Sequence, residues 1–299
     1  MPELLDVLPE VAKAIRDNRP VVALESTVIA HGLPRPQNLE TAHRLQEAVR
    51  EANAIPATIA VIEGKLSVGL SDDEIAWLAN QDNVRKISTR DLPLAVTRGC
   101  LGATTVASTI WIAHRAGIKV FATGGIGGVH RGSLPDVSAD LPELARTPII
   151  VVCSGAKIVL DLPATREWLE TNAVTVVGFQ CDELPAFYSR ESGLPVDARV
   201  DSAAEVAGIF RAQQALGLKS ALLVTAPVPR ESEVSAEVLQ RVLNNALAEA
   251  EAKGISGPEL TPFLLSQMAA LSGGETLRAN IALLQNNARI AAEIAGQVV

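Results

Sequence analysis

The sequence predicts an α/β protein: a single three-layer α/β/α arrangement around a central, mainly parallel sheet. Three observations lead there. Short aliphatic runs alternate with helix-like segments along the whole 299-residue chain, the rhythm of successive βα units. Several of those runs end in polar or glycine residues, where open α/β sheets hold their sites. Hydrophobic residues make up 48% of the chain but aromatics only 3%, so the core must be Val, Ile, Leu and Ala, the usual filling of helices packed on a buried sheet. A chain of this length buries roughly three quarters of its unfolded surface, so it needs no disulfide or structural metal to hold it. No internal repeat or low-complexity stretch divides it. Residues 1–299 therefore read as one domain, with two domains meeting near residue 200 as the alternative.

Each element has its own signal. Val21-Val22-Ala23-Leu24 is a strand that stops at an acid, Glu25. Leu39, Ala42, Leu45, Val49 and Ala52 then recur at helical spacing. Ala57 to Ile62 is a second strand, and Glu63-Gly64-Lys65 turns it into Leu66 to Leu70 as a hairpin. Ser71-Asp72-Asp73-Glu74 is a capping box for a helix through Trp77. Lys86 sits on a short strand before Asp91-Leu92-Pro93. Gly102 to Ala116 reads as one buried helix, and Lys119 to Ala122 as a strand running into glycines. Ile149 to Val152, Val174 to Gly178 and Ala221 to Val224 are further strands. Ser202 caps a helix to about Leu216, and Val234 to Ala252 is amphipathic. Thr261-Pro262 reads as an N-cap followed by Pro at the first helical position, and Glu275 to Val299 is mostly helical.

Charge and composition exclude several classes of function. With 34 acidic against 26 basic residues, the net charge of −8 leaves no basic stripe for nucleic acid. Three Trp, one Tyr and five Phe offer little to stack single-stranded bases on. Cys100, Cys153 and Cys181 are odd in number and lack metal-ligand spacing, so they read as free thiols in a reducing compartment. The start, Met1-Pro2-Glu3-Leu4-Leu5-Asp6, lacks the basic and apolar regions of a signal peptide. No apolar run approaches the ~18 residues of a membrane span. The expectation is a cytoplasmic enzyme of small molecules, with no nucleic acid or membrane partner.

Four places could carry chemistry. Glu25, a carboxylate at a strand end among apolar neighbours, suits a general acid whose pKa is raised, or else it caps a turn. Thr123-Gly124-Gly125-Ile126-Gly127-Gly128-Val129-His130-Arg131-Gly132 lets backbone N–H groups approach an anion, or is a structural glycine turn. It is neither a P-loop nor GxGxxG. Asp136 and Asp140, four apart in Asp136-Val137-Ser138-Ala139-Asp140, share a face if a helix starts there. They suit a hard, mostly hydrated divalent cation, or are the acidic first turn of a helix. Lys157 lies among apolar and small residues just past a strand. Desolvation there would free its amine to form a Schiff base with a carbonyl carbon, unless its stem merely packs on the core. Lys86 could pair a phosphate; His43 and His114 lie on helical segments and read as ordinary helix residues.

These segments together resemble the pseudouridine-5′-phosphate glycosidase family, from about Leu5 to Ala295. The resemblance is carried by Val21-Val22-Ala23-Leu24-Glu25-Ser26-Thr27, by Gly102-Ala103-Thr104-Thr105-Val106-Ala107-Ser108-Thr109, by Phe121 through Gly132, and by Thr261-Pro262-Phe263-Leu264-Leu265. It implies an α/β/α fold, a homotrimer and reversible cleavage of the C–C glycosidic bond of pseudouridine 5′-phosphate to uracil and ribose 5-phosphate. It further implies a ring-opened ribose held at C1′ as an imine on Lys157, with Glu25 as proton donor. Lys86 and Val106 match substrate-binding positions, and Asp136 matches the ligand of one largely water-coordinated Mn²⁺. Ser138, Ala139 and Asp140 match the stretch that follows along the substrate. Thr123 is similar to an active-site polar group, and His130 and Asn280 to residues near the uracil. Two other readings stay open at this point. Another imine-forming sugar-phosphate lyase would share Lys157 without a base pocket. A non-catalytic sugar-phosphate binder would use Lys157 only as a counter-charge.

Overall fold

The computed structural model of the protein describes residues 4–132, 136–255, 257 and 260–299; Met1–Glu3, part of the start read above for a leader, lie outside them. Where aliphatic and β-branched residues run consecutively, the backbone extends. The strands are β1 (Leu5–Val7), β2 (Val21–Glu25), β3 (Ile55–Ile62), β4 (Lys65–Val68), β5 (Arg85–Ile87), β6 (Gly102–Thr104), β7 (Val120–Ala122), β8 (Ile150–Cys153), β9 (Thr175–Phe179), β10 (Ala198–Val200) and β11 (Leu222–Thr225). They form one sheet in the order β1-β4-β3-β2-β7-β8-β11-β9-β10, with β6 added to β3 and β5 to β6. Every pairing is parallel except β3 with β4 and β3 with β6.

Helices cover both faces, as a parallel sheet requires. They are α1 (Pro9–Arg16), α2 (Gln37–Glu51), α3 (Asp72–Ala79), α4 (Leu92–Thr97), α5 (Val106–Ala116), α6 (Asp140–Leu144), α7 (Leu162–Thr171), α8 (Ala203–Ala215), α9 (Ala236–Ala252), α10 (Leu260–Leu271) and α11 (Glu275–Val298). The long α11 lies over β2, β7 and β8 and packs on α2 and α8, while α5 packs on α6 and on β2 and β3. The central strands are sealed: Val151, Val152, Leu223 and Val224 have no exposed surface. Each such side chain contributes about 1.5–3 kcal/mol by leaving water.

Three readings of the sequence need correction. Gly102–Thr104 is strand β6, and the helix starts only at Val106. Gly102 fits there because its missing side chain makes room for Ile87 on β5, a contact helical periodicity cannot register. Thr261 and Pro262 lie inside the first turn of α10, not at its cap; Pro is tolerated there because the first-turn N–H groups have no intrahelical partner. Asp136 precedes α6, which begins at Asp140, so the two acids do not share a helix face. The edge strands β1 and β10 have three residues each, too few to show an alternating pattern in the sequence.

Gly155 follows β8 with φ +81°, and a Cβ there would lie 2.1 Å from the Pro185 carbonyl oxygen. Both the backbone angle and the close approach exclude a side chain. Gly155→Ala is expected to lower stability by at least about 1–3 kcal/mol. A denaturant midpoint unchanged from the parent would contradict that.

Candidate active site

The sheet brings β2, β7 and β8 side by side, so the segments that leave their carboxyl ends meet. The β2 end is held first. Ser26 Oγ donates to the Ile59 carbonyl at 2.7 Å and accepts from the Thr104 N–H at 2.8 Å, tying the turn to β3 and β6. This leaves the Glu25 carboxylate pointing into a cavity, 8% exposed, accepting hydrogen bonds from the hydroxyls of Thr27 and Thr123. Burial pushes the Glu25 carboxyl above its ordinary pKa; the Lys157 charge and the two hydroxyls oppose this without cancelling it.

After β7 the chain turns through Thr123–Gly128 and runs beside the segment that follows β8. Ile126 bridges Ala156, and the Lys157 N–H donates to the Ile126 carbonyl at 3.1 Å. The Lys157 ammonium reaches back to donate to the Gly125 carbonyl at 2.6 Å. Two catalytic candidates 132 residues apart in sequence are thereby attached to one short loop, Glu25 through Thr123 and Lys157 through Gly125. Cys153, just before that segment, is fully buried and burial pushes its thiol up to about 12, so it is an inert core residue.

The opposite wall is built by Asp140. Its carboxylate accepts from the Ala107 N–H at 2.9 Å, in the first turn of α5, and from the Gly127 N–H at 2.8 Å. Gly127 must lack a side chain, because a Cβ would lie 2.2 Å from Ser138 Oγ. The stretch around Val129 pairs with that around Val137: the His130 N–H donates to the Asp136 carbonyl and the Ser138 N–H to the Gly128 carbonyl. Lys86 stands at the mouth. It keeps contact with solvent, yet enough protein surrounds its ammonium that desolvation, then repulsion from Lys157, lowers its pKa. His31 is lowered by desolvation and by the Lys86 charge.

The cavity has a volume of about 490 Å³ and is lined by Glu25, Lys86, Val106, Thr123, His130, Asp136, Ser138, Ala139, Asp140, Lys157 and Asn280. These are all the residues given a catalytic, substrate-binding or metal role in the sequence analysis. His43 and His114 are not among its lining residues; Arg131 turns away, donating to the Leu160 carbonyl at 3.1 Å. Sequence reasoning missed His31, Phe187 and Leu284, which also line it. Phe187 has φ +64°, a rare conformation for an aromatic residue and one that concentrates at functional sites. Its segment, Pro185-Ala186-Phe187-Tyr188, carries no polar signal from which a site could be read.

Among the described residues no group of three or more His, Cys, Asp or Glu could hold a metal ion. Asp140 is already committed to two backbone N–H groups. Asp136 is exposed at the cavity wall, and one carboxylate oxygen donor fits a hard cation that keeps most of its waters. Among the described residues no helix is long and apolar enough to cross a membrane.

Residues 10–297 match the family described as indigoidine synthase A like protein. The chain is 52% identical over 297 residues to the pseudouridine-5′-phosphate glycosidase of Escherichia coli strain K12, covering 98% of this chain and 95% of that one. It is 50% identical over 300 residues to the enzyme of the same name from Caldanaerobacter subterraneus subsp. tengcongensis, covering 100% and 98%. Among solved structures, the prealnumycin C-glycosynthase AlnA in complex with ribulose 5-phosphate superimposes with a TM-score of 0.91 at 41% identity, covering 99% and 97%. An indigoidine synthase A-like protein from Thermotoga maritima superimposes with a TM-score of 0.90 at 38% identity, covering 98% and 95%.

Proposed function

From the premise that this chain belongs to the pseudouridine-5′-phosphate glycosidase family, within the indigoidine synthase A-like proteins, we propose how its residues carry out the reaction. The enzyme cleaves, reversibly, the C–C glycosidic bond of pseudouridine 5′-phosphate to uracil and ribose 5-phosphate. The observation that carries the mechanism is the attachment of Lys157 and Glu25 to one loop in one cavity. That a C-glycosynthase of the same fold holds a pentulose phosphate supports a sugar phosphate as ligand.

A C–C glycoside has no leaving heteroatom on the base, so the bond must be weakened from the sugar side. The neutral Lys157 amine bonds to C1′ as the C1′–O4′ bond breaks, and O4′ takes the proton of Glu25. The ribose is then an open chain attached through C1′ to nitrogen. Glu25 takes back the proton that nitrogen loses on bonding to carbon and passes it to uracil C5; the C1′–C5 pair then restores the ring double bond and the nitrogen lone pair forms C1′=N. Water adds to this imine, releasing ribose 5-phosphate and restoring the lysine. Burial favours the neutral Glu25 that the first step needs. Lys86 supplies positive charge for the phosphate, and the Val106 end of α5 supports it. Thr123, Ser138, Ala139 and Asp140 line the sugar, with His130 and Asn280 toward the uracil.

Asp136 would hold the Mn²⁺ ion, which when bound supplies positive charge to substrate oxygens. With a single protein carboxylate that ion is weakly held. Chelator is therefore expected to abolish turnover, added Mn²⁺ to restore it, and Asp136→Ala to weaken metal binding measured directly by titration. Full activity in excess chelator would refute the requirement. The same reading has the chain assemble as a homotrimer and act in the cytoplasm. The whole proposal is tested by incubating the protein with pseudouridine 5′-phosphate and Mn²⁺: uracil appears, and its absence would overturn the reading.

A further inference from the structure

The loop to which both catalytic groups are hydrogen-bonded is held from below by one side chain. Asn287 lies two turns beyond Asn280 on α11 and is fully buried. Its amide Nδ2 donates to the Thr123 carbonyl at 2.9 Å, approaches the Gly124 carbonyl at 3.4 Å, and donates to Ser154 Oγ at 3.1 Å. Thr123 carries the hydroxyl bonded to Glu25, and Gly125 carries the carbonyl that receives Lys157. Ser154 starts the segment that leads to Lys157, and its own N–H donates to the Gly124 carbonyl at 2.9 Å.

We propose that Asn287 is a positioning residue for the reaction: from α11 it locks the β7 and β8 loops together and so sets the placement of Glu25 against Lys157. It touches no substrate itself. The chemistry of the site explains why an amide is used. The Thr123 carbonyl lies past the end of β7, where the Asn287 amide supplies its N–H donor, and a buried acceptor without a partner is costly. A planar NH₂ group can serve two acceptors from one point without adding charge beside Glu25 and Lys157. An aliphatic side chain of the same size would fill the space and leave the loop free to shift. Misplacement of a reacting group by about 1 Å costs on the order of 100-fold in rate.

The inference rests on the proposed imine mechanism and is tested with Asn287→Leu in the full chain. Kd for ribose 5-phosphate is expected to stay within about threefold of the parent, because binding contacts line the cavity rather than α11 at this depth. The kcat for uracil release and the rate of borohydride trapping at Lys157 are expected to fall together by about 10- to 100-fold. The pH profile gives a second readout. Glu25 faces Thr27 and Thr123 and feels the charges of Lys157 and Asp140; of these, the Thr123 hydroxyl helps to hold its pKa down. Loosening Thr123 should therefore move the high-pH limb of kcat upward, which simple loss of folded enzyme cannot do. If Asn287→Leu is not soluble, Asn287→Ser is read by the same criteria. Unchanged kcat in a folded variant overturns the inference. So does a loss of kcat that follows the folded fraction with the pH limb unmoved. Absence of uracil release by the parent protein would instead overturn the mechanism on which it rests.

Discussion

Lys157→Arg and Lys157→Ala are both expected to lose uracil release by about 10⁴-fold or more, the scale seen when a covalent nucleophile is removed. Arginine keeps the positive charge and could still answer a phosphate, but a guanidinium does not deprotonate and cannot form the imine. The arginine variant thus separates a nucleophile from a counter-charge, which alanine alone does not. Borohydride added during turnover should leave ribose phosphate bonded to Lys157, visible by mass spectrometry of the tryptic peptide, and neither variant should give the adduct. Substantial activity in Lys157→Arg, or no adduct in the parent, would make direct acid-catalysed cleavage through Glu25 the better mechanism.

Glu25→Gln is expected to slow turnover by about 10²–10⁴-fold, the usual contribution of a positioned general acid. Glutamine keeps the shape, its oxygen accepting from one threonine hydroxyl and its NH₂ donating to the other, so the loss reports the proton and not the fold. The sign of the pH dependence follows from burial. Because Glu25 titrates above an ordinary glutamate, it keeps its proton to higher pH, and the rate falls as pH rises through that raised pKa. In Glu25→Gln that limb should disappear while the adduct on Lys157 still forms slowly. A glutamine variant that retains the limb would assign it to another group.

Much of this was readable in the chain because it is local. A strand of five consecutive buried residues ending in an acid, Val21–Glu25, announces both an element and a possible site. The Ser71 capping box and the hairpin from Ile62 to Lys65 are set by side chains within a few residues of each other. Lys157 was notable as a cation in an apolar stretch, and the four glycines before His130 as a place where backbone can come close to a ligand.

Other features have no local signature. Gly102–Thr104 and Val106–Ala116 differ in conformation although both are small and apolar, because β6 is defined by the backbone of β3 and β5 that it pairs with. Asn287 looks like any polar residue of an Ala-rich helix until α11 is laid under the glycine loop. Phe187 enters the cavity only because its backbone adopts a rare angle beside Ser154, to whose carbonyl its N–H donates at 3.0 Å.

By itself the sequence determined the alternation of strands and helices, the aliphatic core, the net acidic charge, and which residues had the chemistry to act. These follow from residue type and short spacing, which act within a turn or a strand. Only the tertiary structure decided that Glu25 and Lys157 hang from one loop, that Asp140 is consumed by the backbone while Asp136 stays exposed at the cavity wall, and that α11 closes the site from below. The physical reason is that hydrogen-bond partners and burial are properties of neighbours in space. Packing β2, β7 and β8 side by side brings together groups that the chain keeps more than a hundred residues apart.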